Sequence, residues 1–100
     1  MSLLWTIDVE RIEKWLAERT REQQSAIARR LLLLQTLGDD LGMPNVRNLG
    51  GGLFELREMR FGFRIYFHIE SHEKRIIFSL VGGDKASQAR DIKKAREILK

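Results

Sequence analysis

Arg57, Arg64, Tyr66, His68 and Lys85 fall within one basic, glycine-punctuated stretch of the chain. A guanidinium keeps its charge at neutral pH and offers paired donors to phosphate oxygens. Tyr66 supplies an aromatic face for a nucleobase, and His68 a group able to move a proton near pH 7. Together they suit an anionic partner, RNA first among them. Cleaving RNA asks for little more, because the ribose 2′-hydroxyl is an internal nucleophile. A protein need only align it, neutralise the charge of the phosphorane and shuttle protons. Arg57 and Arg64 would stabilise the phosphate, with Tyr66 or His68 as acid or base. Each side chain also has an ordinary surface role, such as an ion pair of Arg57 with Glu55 or Glu58; their placement on one face is what points to a site. The chain has no cysteine, and its two histidines, His68 and His72, lack metal-ligand spacing. No metal, cofactor or Ser-His-Asp triad is expected.

Strand alternation is what would bring these residues together. In 53–59, Phe54 and Leu56 take one face while Glu55 and Arg57 take the other. In 63–69, Phe63, Ile65, Phe67 and Ile69 share the core face, and Arg64, Tyr66 and His68 point to solvent. The short link 58–62 predicts a hairpin, which sets Arg57 beside Arg64. A third strand over 75–81 predicts Ile76, Phe78 and Leu80 on the core face. Ahead of these lie a β-prone start at Leu3–Ile7, a helix from Asp8 to about Glu18, and a second helix from about Arg21 stopped by Gly38. Leu32, Leu33 and Leu37 widen the second helix's apolar face, for a packing neighbour or a protein partner. Residues 39–52 read as a loop whose Gly50-Gly51-Gly52 makes a tight entry into the sheet; no Gly-Lys-Ser/Thr follows, so it is not a nucleotide-binding loop. A last helix from about Ser87, capped by Asp84 or Ser87, sets Ile92, Ala95 and Leu99 against the sheet. The predicted fold is α+β, N-terminal helices on an antiparallel sheet with a C-terminal helix, as a single domain over 1–100.

Composition agrees with an anionic partner. Residues 1–50 balance seven basic against seven acidic side chains, and residues 51–100 carry eleven against seven. The formal net charge of +4 therefore resides in the half with the arginine-bearing strands. The longest apolar run, Leu31–Leu34, is far short of the roughly 20 residues of a membrane span, and the N-terminus lacks signal-peptide character. A cytoplasmic protein with no membrane partner is expected.

Three linked motifs add a resemblance. Gly-Gly-Gly-x-x-Glu-Leu-Arg at 50–57, Phe-Arg-Ile-Tyr-Phe at 63–67 and Leu-x-Gly-Gly-Asp-Lys-x-Ser-Gln-x-x-Asp-Ile at 80–92 resemble the RelE/HigB-like toxins of type II toxin–antitoxin modules, above all the phage-derived addiction-module killer subfamily. The resemblance covers roughly residues 44–99. It implies ribosome-dependent, metal-independent mRNA cleavage that blocks translation, and neutralisation by a cognate antitoxin carrying a helix-turn-helix DNA-binding domain. Carried over by position, Arg57 and Arg64 would contact the scissile phosphate, and Lys85 and Gln88 would bind RNA. Phe63 stands where many relatives have tyrosine, at a position that period two sends to the core. Two alternatives stay open: a ParE-type DNA gyrase inhibitor on the same fold, and a catalytically silent RNA-binding relative.

Overall fold

The computed structural model describes residues 4–100; Leu3 of the predicted first strand lies outside them. The elements run β1 (Thr6–Asp8), a 3-10 turn (Glu10–Ile12), α1 (Glu13–Ala17), α2 (Arg21–Leu37), a second 3-10 turn (Gly38–Asp40), β2 (Val46–Gly50), β3 (Leu53–Arg57), β4 (Phe63–Ser71), β5 (Ile76–Asp84) and α3 (Gln88–Leu99). The five strands form one sheet in the order β1-β5-β4-β3-β2, antiparallel except for the parallel β1–β5 pair. No helix among the described residues is long and apolar enough to cross a membrane.

Local chemistry accounts for the element ends. Asp8 accepts the Glu10 N–H at 2.9 Å and starts the first 3-10 turn. Thr20 and Gln23 form a reciprocal capping box at the start of α2, and Gly38, at φ +54°, ends it. The β3–β4 turn is held by the Glu58 carboxylate, which accepts the N–H groups of Arg60 (2.6 Å) and Phe61 (2.9 Å).

Two differences from the sequence reading matter for the site. The first is β2. The sequence reads as loop here, but the residues form an edge strand whose Arg47 and Asn48 are exposed, so no apolar alternation marks it. The triple glycine is therefore the β2–β3 hairpin turn. Gly50 pairs with Leu53, and Gly51 and Gly52 occupy φ +64° and +83° between them. A two-residue hairpin turn needs left-handed backbone at both central positions, which glycine adopts without strain.

The second difference is that the sheet has two cores. On one face Trp5, Ile12, Ile27, Leu34, Leu56, Phe63, Ile65, Phe67 and Ile77 pack together. On the other, Leu53, Tyr66, Leu80, Val81 and Ala95 pack with Ile92, Ile98 and Leu99 of α3. The face predicted to meet solvent thus lies largely beneath the last helix. Strand β5 also departs from its predicted phase. Ile77 joins the first core, while Phe78 and Leu80 join the second. The register slips between Tyr66↔Val81 and Phe67↔Ser79, so Leu80 is a bulge residue and follows Val81 onto the α3 side. A strand buried on both faces reads as a continuous apolar run and offers no phase to extract. On α2, Ile27 and Leu34 are buried, Leu31 and Leu33 are half-buried, and Leu32 and Leu37 are exposed.

Candidate functional site

Arg57 and Arg64 are direct cross-strand partners in the β3–β4 hairpin, and so are Glu55 and Tyr66. Both pairs point to the α3 side. The Arg57 side chain keeps 32% of its surface exposed, whereas Arg64 retains 8%. Arg64 Nη1 donates to the Gly62 carbonyl at 3.1 Å. Between the two guanidiniums sits the Glu55 carboxylate, itself 1% exposed. Its Oε1 is 3.9 Å from Arg57 Nε, and its Oε2 is 3.7 Å from Arg64 Nε. Gln88, the first residue of α3, donates from Nε2 to the same Oε2 at 2.9 Å.

The loop after β5 reaches this end of the sheet. Gly83 pairs with Arg64, and Asp84 with Phe63. A Cβ on Gly83 would collide with the Asp91 carboxylate and the Ser87 hydroxyl, so the first turn of α3 rests directly on the β5 backbone. Ser87 N–H donates to Asp84 Oδ1 at 3.1 Å, which fixes the loop that carries Lys85 into solvent. Arg57, Arg64, Lys85 and Gln88 therefore gather at one end of the sheet. Beside them, Trp15, Arg19, Gly82, Asp84 and Arg90 line an open cleft of about 490 Å³. Arg19 is held in place there. Its guanidinium lies 5.2 Å from the centre of the Trp15 ring, and its Nε donates to the Trp15 carbonyl at 3.1 Å.

Tyr66 and His68 do not join this group. Tyr66 is fully buried in the second core rather than facing solvent, because α3 covers it. It offers no stacking surface, and its hydroxyl lies near the Glu55 carboxylate without making a well-formed hydrogen bond. Burial first, and then the negative charge of Glu55, push the phenol above its ordinary range. His68 is half-exposed four residues further along β4, roughly 13 Å from Arg64 at strand spacing. Its Nδ1–H donates to the Gly52 carbonyl at 3.0 Å, and it lines a separate cavity with Arg11, Glu70, Phe78 and Leu99. The expected shared face is thus divided by the middle of α3. The sequence reading missed Glu55 and Arg19 as parts of the site. Glu55 was legible as a member of the arginines' face; the position of Arg19 depends on how α1 meets β5, which no spacing reveals.

Tyr66 is the chain's one tyrosine, so tyrosinate absorbance reports it alone. In the folded protein the absorbance should rise only well above about pH 10, the ordinary value. A phenol with a raised folded pKa stabilises the fold below its unfolded pKa, and that contribution is lost as pH rises beyond it. Denaturant midpoints should accordingly fall above about pH 10, and less so in Tyr66→Phe. At neutral pH the same variant should unfold within about 1 kcal/mol of the parent, since the hydroxyl makes no well-formed hydrogen bond to lose. A large loss at neutral pH would show that the hydroxyl donates to the Glu55 carboxylate beside it.

Among solved structures, the chain is similar to a double arginine-to-alanine mutant of Escherichia coli toxin RelE in the free state. The TM-score is 0.76 at 14% identity, covering 98% of this chain and all of that one. It is also similar to the isolated E. coli RelE toxin in its P21 crystal form, with a TM-score of 0.62 at 15% identity, covering 89% of this chain and 96% of that one. The fold is RelE-like. A comparison with curated proteins finds no match. Residues 14–100 match the profile of the family described as "Phage derived protein Gp49-like (DUF891)". With the match spanning most of the described chain, this protein belongs to the phage-derived Gp49-like family.

Proposed function

We propose that this protein is the toxin of a type II toxin–antitoxin module and acts in the cytoplasm as a metal-independent, ribosome-dependent mRNA endoribonuclease. In this role a cognate antitoxin, a helix-turn-helix DNA-binding protein, neutralises it. The observation that carries the proposal is the cross-strand arginine pair, Arg57 opposite Arg64, with Lys85 and Gln88 at the same end of the sheet. The RelE-like fold and the Gp49-like family support it.

The chemistry follows from the side chains. The RNA 2′-hydroxyl gives its proton to solvent water as its oxygen attacks the adjacent phosphorus to form a 2′,3′-cyclic phosphate. The 5′-oxygen of the next nucleotide leaves with a proton taken from water. Negative charge builds on the non-bridging oxygens, and two permanently charged guanidiniums stabilise it where water is partly excluded. Lys85 and Gln88 align the flanking backbone. Tyr66 serves as packing beneath them, and His68 stands away from the scissile phosphate.

Induced expression of the protein tests this. Translation should collapse, with mRNA 5′ ends mapping inside codons of translated messages, and co-expression of the antitoxin should restore growth. Intact mRNA with DNA breaks and an SOS response would instead indicate gyrase poisoning. Normal growth with intact mRNA would indicate a silent relative.

A further inference from the structure

Glu55 faces Arg57, Arg64 and Gln88, yet the chemistry above gives it no role. Its carboxylate is almost wholly buried, it lies opposite Tyr66 in the register, and each of its oxygens faces a different guanidinium. Removing such a charge from water is costly, so a buried carboxylate persists only where opposite charges and hydrogen bonds surround it. Here two arginines and Gln88 do so. The benefit runs both ways. Two like charges held directly opposite on neighbouring strands repel, and the anion between them permits the convergence.

Both ion-pair distances, 3.7 and 3.9 Å, exceed hydrogen-bond range. The carboxylate therefore orients the guanidiniums without consuming their donors. Arg64 Nε makes no hydrogen bond at all, although it is buried. Gln88 extends the arrangement to α3, whose first residue is fastened to the same oxygen that faces Arg64.

We propose that Glu55 is a positioning residue: its buried carboxylate holds Arg57 and Arg64 convergent on one phosphate and locks the start of α3 over them through Gln88. This rests on the RNA-cleaving function proposed above, so its test needs a readout that survives the failure of that function. Arginine Nε–H resonances supply one. In Glu55→Gln the side-chain oxygen still accepts from Gln88 and only the charge is lost, and the Arg57 and Arg64 signals should both move. Inorganic phosphate titrated into the parent protein should shift both signals with a single apparent affinity, and in the variant with two different ones. Where RNA cleavage is measurable, kcat should drop roughly 10- to 100-fold as alignment is lost. KM should stay level or fall, because an anion has left the phosphate's surroundings.

A carboxylate that merely packs would lower thermal stability and leave kcat of the folded fraction and the single phosphate affinity of the two arginines unchanged, and that result would overturn the proposal. Should Glu55→Gln fail to fold, Gln88→Ala keeps the charge and cuts the link between Glu55 and α3, and its effect is read without RNA because Gln88 also aligns the RNA backbone. It should move the Arg64 signal in the free protein; an unmoved Arg64 signal overturns the proposal. A parent protein that cleaves no RNA, yet shows the coupled phosphate shifts and their loss in Glu55→Gln, would remove the enzymatic function and leave the positioning role standing.

Discussion

RNA cleavage by Arg64→Ala is expected to fall by roughly 10²- to 10³-fold in kcat, the usual cost of removing one preorganised donor from a developing oxyanion. Arg64 is the more consequential of the pair because it is the more buried, and charge stabilisation is strongest where water is thin. Arg57→Ala should cost less, since a third of its side chain faces solvent. The alanine at 64 also leaves Glu55 with one arginine at 3.9 Å, so a stability loss must be separated from a catalytic one. Arg64→Lys serves that purpose. It keeps the charge beside Glu55 but loses the bidentate fork, and should fold well while cleaving poorly. Single-turnover cleavage of one RNA by the three variants, corrected for folded fraction by circular dichroism, is the measurement. Equal rates for Arg64→Ala and the parent would remove the arginine pair from the mechanism.

Phe67→Ala should bring the largest loss of stability, about 3–5 kcal/mol. The ring is 1% exposed in the first core and stacks on Phe54 with centroids 5.3 Å apart and planes at 17°. Its removal opens a cavity in the first core beside Phe54. Domains of this size hold about 5–15 kcal/mol in all, so most of the margin is at stake. At about 4–8 °C per kcal/mol, the midpoint should drop by at least 12 °C or so, read by thermal or urea unfolding. A loss below about 1 kcal/mol would mean that the site repacks freely, against the close packing of protein interiors.

How much of this was legible beforehand differs between elements. The helix from Arg21 to Leu37 and the hairpin from Leu53 to Ser71 follow from local signals: Gly38 as a stop, and clean alternation in Phe63–Ile69. That hairpin was enough to set Arg57 opposite Arg64. Alternation alone sends Tyr66 to solvent, because it identifies two faces without saying what covers each. Burial of the second face depends on where α3 lands, and that is decided by contacts among Leu53, Leu80, Ala95 and Leu99, far apart in sequence. The same helix separates His68 from the arginines. Strand β2 was illegible for another reason. An edge strand with polar residues on its open side carries no hydrophobic period, and its partner's backbone alone defines it.

The parallel pairing of β1 with β5 has a consequence for how the chain reaches this arrangement. Thr6 pairs with Ile76, seventy positions later, while β3, β4 and β5 follow one another through short turns. Closing a long loop costs entropy before its contacts repay it, and topologies rich in such closures fold slowly. The three-stranded meander is therefore expected to form early and β1 to dock late, bringing the N-terminal helices onto a sheet already assembled. Mutations in β1 should then chiefly speed unfolding, whereas those in the β3–β4 hairpin should slow folding itself. The arginine pair is thus built into the part of the molecule that takes shape first.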